Sequence, residues 1–321
     1  MSLELPRHPR LLPGVLVTRR DDDYLQIGLD PGLAVITPDL PETREVLARL
    51  RDADAPVLGP GTPLVVLRLC AELVARNLLI DGDALAADLP ASLEAAQAVA
   101  AVYAQAGRTA PETLVRRRTR PVRLDVPEPL ARLAHRLLTA SGVPTSPVSP
   151  ASVSPVSASL GQVSSVPESE RPAPYAALVA ALGEVDRAAV DGLARDDTPY
   201  LVVRFGERSV EVGPFVVPGV TACLRCVDAH RGDGDPRRGL VVEQYAEAPV
   251  YRSDGVPHPV DPSVSAMVLG WAVRDLVSFV DDEQPSAWSA TIRVGPGTHQ
   301  HRTPWRRHPH CGCAWGTAAT G

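Results

Sequence analysis

The chain carries two closely spaced cysteine pairs near its C-terminus, and their types and spacing could do chemistry. "CLRC" contains Cys223 and Cys226, "CGC" contains Cys311 and Cys313, and 84 residues separate the two pairs. A CxxC turn lets two thiolates converge on one tetrahedral ion, and a second pair completes a sulfur shell with no open position. Gly312 permits the bend that a CxC ligand pair requires. The sequence therefore predicts a structural zinc site.

Other uses of these thiols remain open alternatives. A redox CxxC normally follows a thioredoxin-like strand and helix, which the sequence before Cys223 lacks. A disulfide is disfavoured because we place the chain in the cytoplasm, where thiols stay reduced. The remaining cysteine, Cys70, lies among leucines at helical spacing, so we expect a buried structural thiol. Four histidines near the second pair could replace a cysteine as ligands: His299, His301, His308 and His310.

Composition excludes several classes of function. The 321 residues suffice for two domains, and the net charge of -6 argues against a general affinity for nucleic acid. The first ten residues, "MSLELPRHPR", lack the apolar core of a secretory signal. No uncharged apolar run reaches the roughly 18 residues of a membrane span. We therefore expect a cytoplasmic protein with no nucleic-acid or membrane partner.

The first ninety residues, 1–90, read as one module. Three β-type runs, "GVLVTRR", "YLQIGLD" and "LAVITP", are separated by turns rich in Asp and Gly. A helix follows Pro41, and a second is predicted over 64–79, with Thr62 as its cap and Pro63 at its first position. Three strands with following helices predict a small winged-helix-like module.

The rest of the chain reads as a linker and a larger α/β domain. Residues 91–120 are predicted as a helical linker whose "RRRTR" run is a solvated connector. Strand and helix patterns then alternate over 121–321, including an apolar helix over 264–280. A Pro/Ser/Val-rich segment at about 144–172 cannot bury enough apolar surface to become ordered, so we expect a mobile loop there.

The start of this larger domain has the outline of a Rossmann strand, turn and helix, but the turn reads "VPEPLA". Val126 and Glu128 stand where two of the three glycines of G-x-G-x-x-G would fall, and Ala131 takes the third position. Val126 would block close approach of phosphates, and Glu128 would repel them. Pro127 and Pro129 remove backbone donors. We therefore expect no ATP binding by this chain.

With the cysteine pairs and the degenerate turn in place, residues 121–321 resemble the E1-like (ThiF/MoeB-type) superfamily, whose adenylating members hold a structural zinc with two cysteine pairs. The closer resemblance is to actinobacterial ocin-ThiF proteins of azole- and thiopeptide-forming gene clusters. It is carried by residues 198–236, "TPYLVVRFGERSVEVGPFVVPGVTACLRCVDAHRGDGDP", and by the terminal "HPHCGC". The N-terminal module is similar in outline to the peptide-recognition element of these proteins.

The resemblance implies an α/β fold in which a winged-helix-like peptide-recognition module precedes a degenerate Rossmann-like E1 domain with a structural zinc site. It implies a partner protein rather than a complete enzyme. Such a protein binds the leader of a ribosomal precursor peptide and presents the core to a YcaO-type cyclodehydratase, which uses the ATP. E1-like relatives commonly dimerise, so a homodimer remains open.

Two other functions are alternatives. One is an ATP-dependent E1-like adenylyltransferase acting on a peptide or protein C-terminus. The other is a zinc-bearing winged-helix DNA regulator, which the acidic charge balance disfavours.

Leader capture of the implied kind would work by β-augmentation, in which an extended peptide adds to a free strand edge beside a helix. The third strand of the module, over 33–37, is the predicted edge, and the helix over 64–79 is the predicted wall. Arg68 and Arg76 could pair with acidic leader side chains, or could simply be exposed arginines. The predicted peptide-binding residues are Leu33, Val35, Ile36, Thr37, Arg68, Glu72 and Arg76.

Overall fold

A computed structural model describes residues 4–52, 56, 58–128, 130–146, 173–248 and 253–313. The chain divides into two compact units, Met1–Val115 and Arg116–Gly321. Of the loop predicted at 144–172, residues 147–172 lie outside the described residues.

The N-terminal unit combines short antiparallel sheets with helices. Its strands are β1 (Pro9–Leu11), β2 (Val17–Arg19), β3 (Tyr24–Ile27), β4 (Val35–Pro38) and β5 (Leu79–Asp81). Its helices are α1 (Pro41–Arg51), α2 (Leu64–Ala75), α3 (Gly82–Asp88), α4 (Leu93–Ala106) and α5 (Ala110–Thr119), the last crossing the boundary between the units. Strands β2, β3 and β4 form one sheet in that order, and β1 pairs with β5. The buried side chains of Ile27, Leu50, Leu73 and Ile80 belong to one core.

Two expectations about the second helix are wrong. Helix α2 ends at Ala75, four residues before the predicted end, because Asn77 takes a left-handed conformation with a φ of 54°. The apolar residues after it form β5, since a short apolar run fits a strand as well as a helix. Thr62 does not cap α2: its hydroxyl accepts a hydrogen bond from the Gly59 N–H at 2.8 Å.

The expected solvated character of the "RRRTR" run is also wrong. Arg117 is buried, and its guanidinium donates to the Asp281 carboxylate, with Nη2 at 2.6 Å from Oδ2. Arg120 donates to the Val280 carbonyl at 2.6 Å and to Asp282. Arg117 lies in the last turn of α5 and Arg120 directly after the helix, and both hold the segment 280–282 within the C-terminal unit.

The C-terminal unit is built on a seven-stranded sheet with the order β12-β11-β10-β9-β8-β6-β7. Its strands are β6 (Val122–Asp125), β7 (Thr145–Ser146), β8 (Ala176–Leu182), β9 (Tyr200–Phe205), β10 (Val210–Val216), β11 (Ala290–Val294) and β12 (Gln300–Pro304). Its helices are α6 (Leu130–Ala140), α7 (Arg187–Arg195), α8 (Leu224–Gly234), α9 (Arg238–Glu247) and α10 (Pro262–Val280). Strands β7, β6, β8 and β9 are parallel, and the other pairs are antiparallel. The predicted α/β class is confirmed.

Strands β8, β9 and β10 are buried on both faces, which explains why their sequences are nearly continuous apolar runs. One face packs against α6 and α10, where Leu138 and Leu276 join the core with Leu178 from β8. The other face packs against α7 and α8, where Val190 and Leu224 lie. The sheet is therefore a fixed platform between two layers of helices.

Helix α10 is the one helix among the described residues that is long and apolar enough to cross a membrane, with a mean hydropathy of 1.4. Half of its 18-residue apolar window is buried inside the protein. Along one stripe of α10, three residues are fully buried in the core and two pack against it: Val268, Ala272 and Leu276, with Met267 and Trp271. Core packing accounts for its apolar composition.

Candidate metal centre, strand-end crevice and peptide groove

The two cysteine pairs converge at the start of α8. Cys223 is the residue before the helix, Cys226 lies in its first turn, and the second pair follows β12. The Sγ atom of Cys223 lies 3.6 Å from that of Cys226 and 3.4 Å from that of Cys311. The Sγ atoms of Cys226 and Cys313 are 3.3 Å apart. Four sulfurs around one zinc, each at about 2.3 Å, would be separated by roughly 3.8 Å. The four thiols thus fit a tetrahedral metal ion such as zinc.

Hydrogen bonds to Cys226 tie the second pair to α8. Its pKa is lowered to about 4, first by the hydrogen bond from the Cys223 thiol and further by the His308 backbone N–H and the Cys313 thiol. Burial raises the pKa of Cys311 to about 12. A metal ion at the centre of the cluster would replace the contacts between these sulfurs.

Histidines near the second cysteine pair also help to hold the segment after β12 against α8. His308 is buried, its Nδ1 accepts from the His310 N–H at 3.2 Å, and its Nε2 lies 3.3 Å from the Asp233 carboxylate. His230 contacts the Arg306 carbonyl through Nε2 at 2.9 Å. His230, Asp233 and His308 could meet at a second ion. However, an Nδ1 that accepts a hydrogen bond leaves the proton on Nε2, which favours a His308–Asp233 hydrogen bond over a metal ligand.

The predicted alternative ligands do not join the sulfur cluster. Among the described residues, the group around the four sulfurs contains cysteines alone. His299 and His301 lie at or beside β12 with exposed side chains, and His310 is exposed as well.

The carboxyl ends of β6 and β8 define a second place where a ligand would be expected. The chain leaves β6 for β7 on one side and returns to β8 on the other, and doubly wound folds bind ligands at such a crevice. At the end of β6, Val126 packs against the core and Glu128 pairs with Arg132 at 2.9 Å. The Ala131 N–H donates to the Pro127 carbonyl. In the folded protein, Val126 and Glu128 thus stand in the turn where a nucleotide-binding fold would hold phosphates, as the sequence predicts.

Beyond β8 and β9, a charged network lies between the sheet and α8. Glu184 follows β8 and accepts from Arg187 at 3.0 Å and from Arg204 at 3.1 Å. Arg204 is 4% exposed, and burial lowers its pKa to about 10. The network contains three arginines and three acids: Arg187, Arg204, Arg231, Glu184, Glu211 and Asp228.

Sequence patterns alone did not lead to this network. The sequence does carry a signal for it: Arg204 and Glu211 interrupt otherwise apolar strands, and a charge in a buried strand requires a partner. What the sequence could not supply is the identity of those partners, which come from the β8–α7 turn and from α8.

The segment after α8 covers the same strand ends. A Cβ on Gly183, directly after β8, would lie 3.7 Å from the Tyr245 carbonyl of α9. The Nε2 atom of His258 lies 2.6 Å from the Phe205 carbonyl at the end of β9. The carboxyl ends of β8 and β9 are thus bordered by paired charges and contacted by residues after α8.

In the N-terminal unit, β4 is an edge strand among the described residues. The Asp39 N–H donates to the Asp23 carbonyl, and the register then pairs Thr37 with Leu25. Alternation along an antiparallel ladder directs the N–H and C=O of Ile36 away from β3. Ile36 is 46% exposed, whereas Val35 and Thr37 are buried. Of the residues predicted on this strand, Ile36 therefore presents both its backbone and its side chain outward.

Helix α2 packs beside β4 and supplies the other side of a groove. Arg68 and Glu72 are exposed, and Arg76 donates to the Gly32 carbonyl at 3.4 Å, next to the exposed Leu33.

Sequence patterns did not single out Leu64 and Leu67, which are 63% and 37% exposed on α2. The sequence signal for these two residues is that α2 carries apolar residues on both faces, whereas a helix buried on one face needs them only on that face.

This arrangement matches several solved structures. A heterocyclase in complex with substrate and cofactor superposes with a TM-score of 0.62 at 13% identity, over 95% of this chain and 39% of that one. The heterocyclase TruD gives 0.59 at 16% identity, over 96% of this chain and 43% of that one. Escherichia coli MccB with AMPCPP and MccA gives 0.61 at 12% identity, over 95% and 99% of the two chains. The chain has the α/β fold of these proteins.

The chain thus spans about two fifths of the length of the heterocyclases and nearly the whole length of MccB. No protein-family profile matches the chain, and no curated protein matches it.

Proposed function

We propose that this protein is a non-adenylating E1-like scaffold of ribosomal-peptide natural-product biosynthesis. It binds the leader of a precursor peptide in the β4–α2 groove and presents the core to a YcaO-type cyclodehydratase that forms azolines. It works in the cytoplasm as an accessory subunit rather than as an enzyme of its own.

The observation that carries this proposal is the pairing of Glu184 with Arg187 and Arg204 at the strand-end crevice. An adenylating enzyme needs carboxylates free to hold Mg²⁺ and backbone donors free to hold phosphates. Here the carboxylate after β8 is engaged by two guanidinium groups, and the turn after β6 carries Val126 and Glu128. Both observations support a scaffold that does not adenylate its peptide.

Peptide capture is supported by the groove. Ile36 offers an unpaired backbone edge, and Leu33, Leu64 and Leu67 are exposed apolar side chains before β4 and on the neighbouring α2. An extended peptide added to β4 would gain main-chain hydrogen bonds, and its alternate side chains would fall between β4 and α2. Arg68, which is exposed on α2, would favour an acidic residue at one leader position.

The kind of partner is suggested by the likeness of fold, because two of the matched structures are heterocyclases, of which the chain spans 39% and 43%.

The four cysteines would hold a structural zinc ion. Zinc is the ion we propose because four thiolates form its closed tetrahedral shell. When bound, the ion would supply a crosslink between the start of α8 and the segment after β12, without an open position for catalysis. Cys223, Cys226, Cys311 and Cys313 would be its ligands.

One observation favours a second candidate function. MccB, which this chain matches over 99% of its length, was solved with AMPCPP and MccA. An ATP-dependent adenylyltransferase acting on a peptide C-terminus is therefore the alternative.

Two measurements on the full-length protein separate these functions. Fluorescence polarisation with a labelled leader peptide should show saturable binding, and pyrophosphate exchange with ATP and precursor should stay at background. Peptide-dependent exchange would overturn the non-adenylating proposal. Absence of leader binding would overturn the scaffold proposal.

A further inference from the structure

Strand β12 ends the large sheet, and its outer edge is unpaired among the described residues. The Gly295 N–H donates to the His299 carbonyl, and the Trp305 N–H donates to the Ser289 carbonyl. Alternation between these two pairs directs the N–H and C=O of Gln300 and of Arg302 away from β11. Pro304 ends the row of donors. The sheet thus offers a short backbone ladder at this edge.

The side chains along this edge are basic. We define the basic edge as the outward backbone of β12 together with four exposed side chains: Arg293, His301, Arg302 and Arg306. Of these side chains, Arg293 lies 3.6 Å from the carboxylate of Glu211, which is buried and also paired with Arg204 and Arg231. A positive surface on a chain with a net charge of -6 will draw acidic groups selectively.

The basic edge is also held in place before anything binds it. The Trp305 indole N–H donates to the Thr291 hydroxyl at 3.0 Å, and its ring stacks on His230 with centroids 5.8 Å apart. The segment that follows is fixed through His308 to Asp233 and through the second cysteine pair to α8. A rigid edge loses little conformational entropy when a partner pairs with it.

We infer that the basic edge is the docking site for an acidic extended segment of the cyclodehydratase, which adds to β12 as an eighth strand. This inference rests on the proposed function and names the surface that joins the two proteins. Carboxylates on neighbouring residues of the incoming strand would face Arg302 on one side of the sheet and His301 on the other. A second copy of the chain does not fit, because it would set like charges opposite one another.

Two variants of the full-length protein test the inference against the purified cyclodehydratase. Gln300→Pro removes an outward N–H and leaves the β11–β12 ladder intact. The double variant R302E/R306E reverses two exposed charges. R195E/R208E makes the same change in net charge at two exposed arginines elsewhere in the unit. Melting temperature and zinc content show that each variant is folded.

We expect both basic-edge variants to weaken cyclodehydratase binding by about tenfold or more, and more strongly at low salt for the charge reversal, with R195E/R208E close to wild type. Leader binding by fluorescence polarisation should be unchanged in all three.

If the folded basic-edge variants bind the cyclodehydratase as tightly as the wild type, the docking site is refuted. The charges would then serve only to protect the edge from pairing with other chains, and the proposed function would stand. If the wild type is a dimer and Q300P is a monomer, the edge pairs with a second copy of the chain, and the proposal that it binds the cyclodehydratase is refuted. No cyclodehydratase binding by the wild type would refute the partner in the proposed function, and the docking site with it.

Discussion

The Sγ atom of Cys226 lies 3.3 Å from that of Cys313, although 87 positions separate the two residues in the chain. This contact joins the first turn of α8 to the segment after β12, so the end of the sheet and the helix above it are fixed together. A crosslink between distant positions restricts the unfolded chain most, and a metal that binds only the folded site adds its binding free energy to stability.

Replacing a cysteine of the cluster should therefore unfold the C-terminal unit more easily. We expect Cys313→Ser to lose bound zinc and to lower the free energy of unfolding by about 4 kcal/mol. For a unit of this size that corresponds to a Tm about 10 °C lower. Metal analysis and calorimetry measure both. Cys70→Ala is the control, because Cys70 is buried in the other unit and should change stability without changing the zinc content.

The groove makes a prediction about the leader peptide. Leu67→Asp places a charge among the exposed apolar contacts of α2, so leader affinity should fall by about tenfold, the effect of losing one apolar contact of about 1.4 kcal/mol. Leu93→Asp is the matched control, since Leu93 is 74% exposed at the start of α4 in the same unit. Fluorescence polarisation measures both variants. Equal losses would mean that the apolar contacts of the groove do not bind the leader.

Because the Glu184 carboxylate is already paired, we predict that nucleotide does not stabilise the protein. A ligand at 100 times its Kd stabilises a protein by about 2.7 kcal/mol. A nucleotide with a micromolar Kd, added with Mg²⁺ at millimolar concentration, would thus raise Tm by at least about 5 °C. We expect no shift, because the Glu184 carboxylate after β8 is already paired with two arginines. A clear shift in calorimetry would favour the adenylyltransferase alternative.

The buried pair of Arg117 and Asp281 predicts a large effect from a single change. Arg117→Met should destabilise the C-terminal unit by about 3–5 kcal/mol, since it leaves the Asp281 carboxylate buried without its cation. Replacing both residues, as R117M/D281L, should restore most of the loss.

Chemical denaturation measures these values. Arg132→Met is the control, because its pair with Glu128 is exposed and is worth less than about 1 kcal/mol. A double variant as unstable as R117M would contradict the explanation by burial.

Local signals in the sequence were enough to predict much of the fold. The alternation of strands and helices over 121–321, the apolar helix over 264–280 and the α/β class follow from periodicity, which depends on neighbouring residues. The errors also have local causes. The predicted α2 continued through Asn77 because "LLI" fits a helix and a strand equally well, and pairing of β5 with β1 decides between them.

The sequence by itself determined the chemistry available to this protein: which residues can hold a soft metal, and which turn lacks the glycines that phosphates need. Those are properties of residue types at short spacing. The tertiary structure decided which distant groups meet, because burial forces a charge such as Arg204 to find its partners among whatever the fold brings near it. It likewise decided that Ile36 and Arg302 direct their backbones outward, since strand order and register set which edges are free.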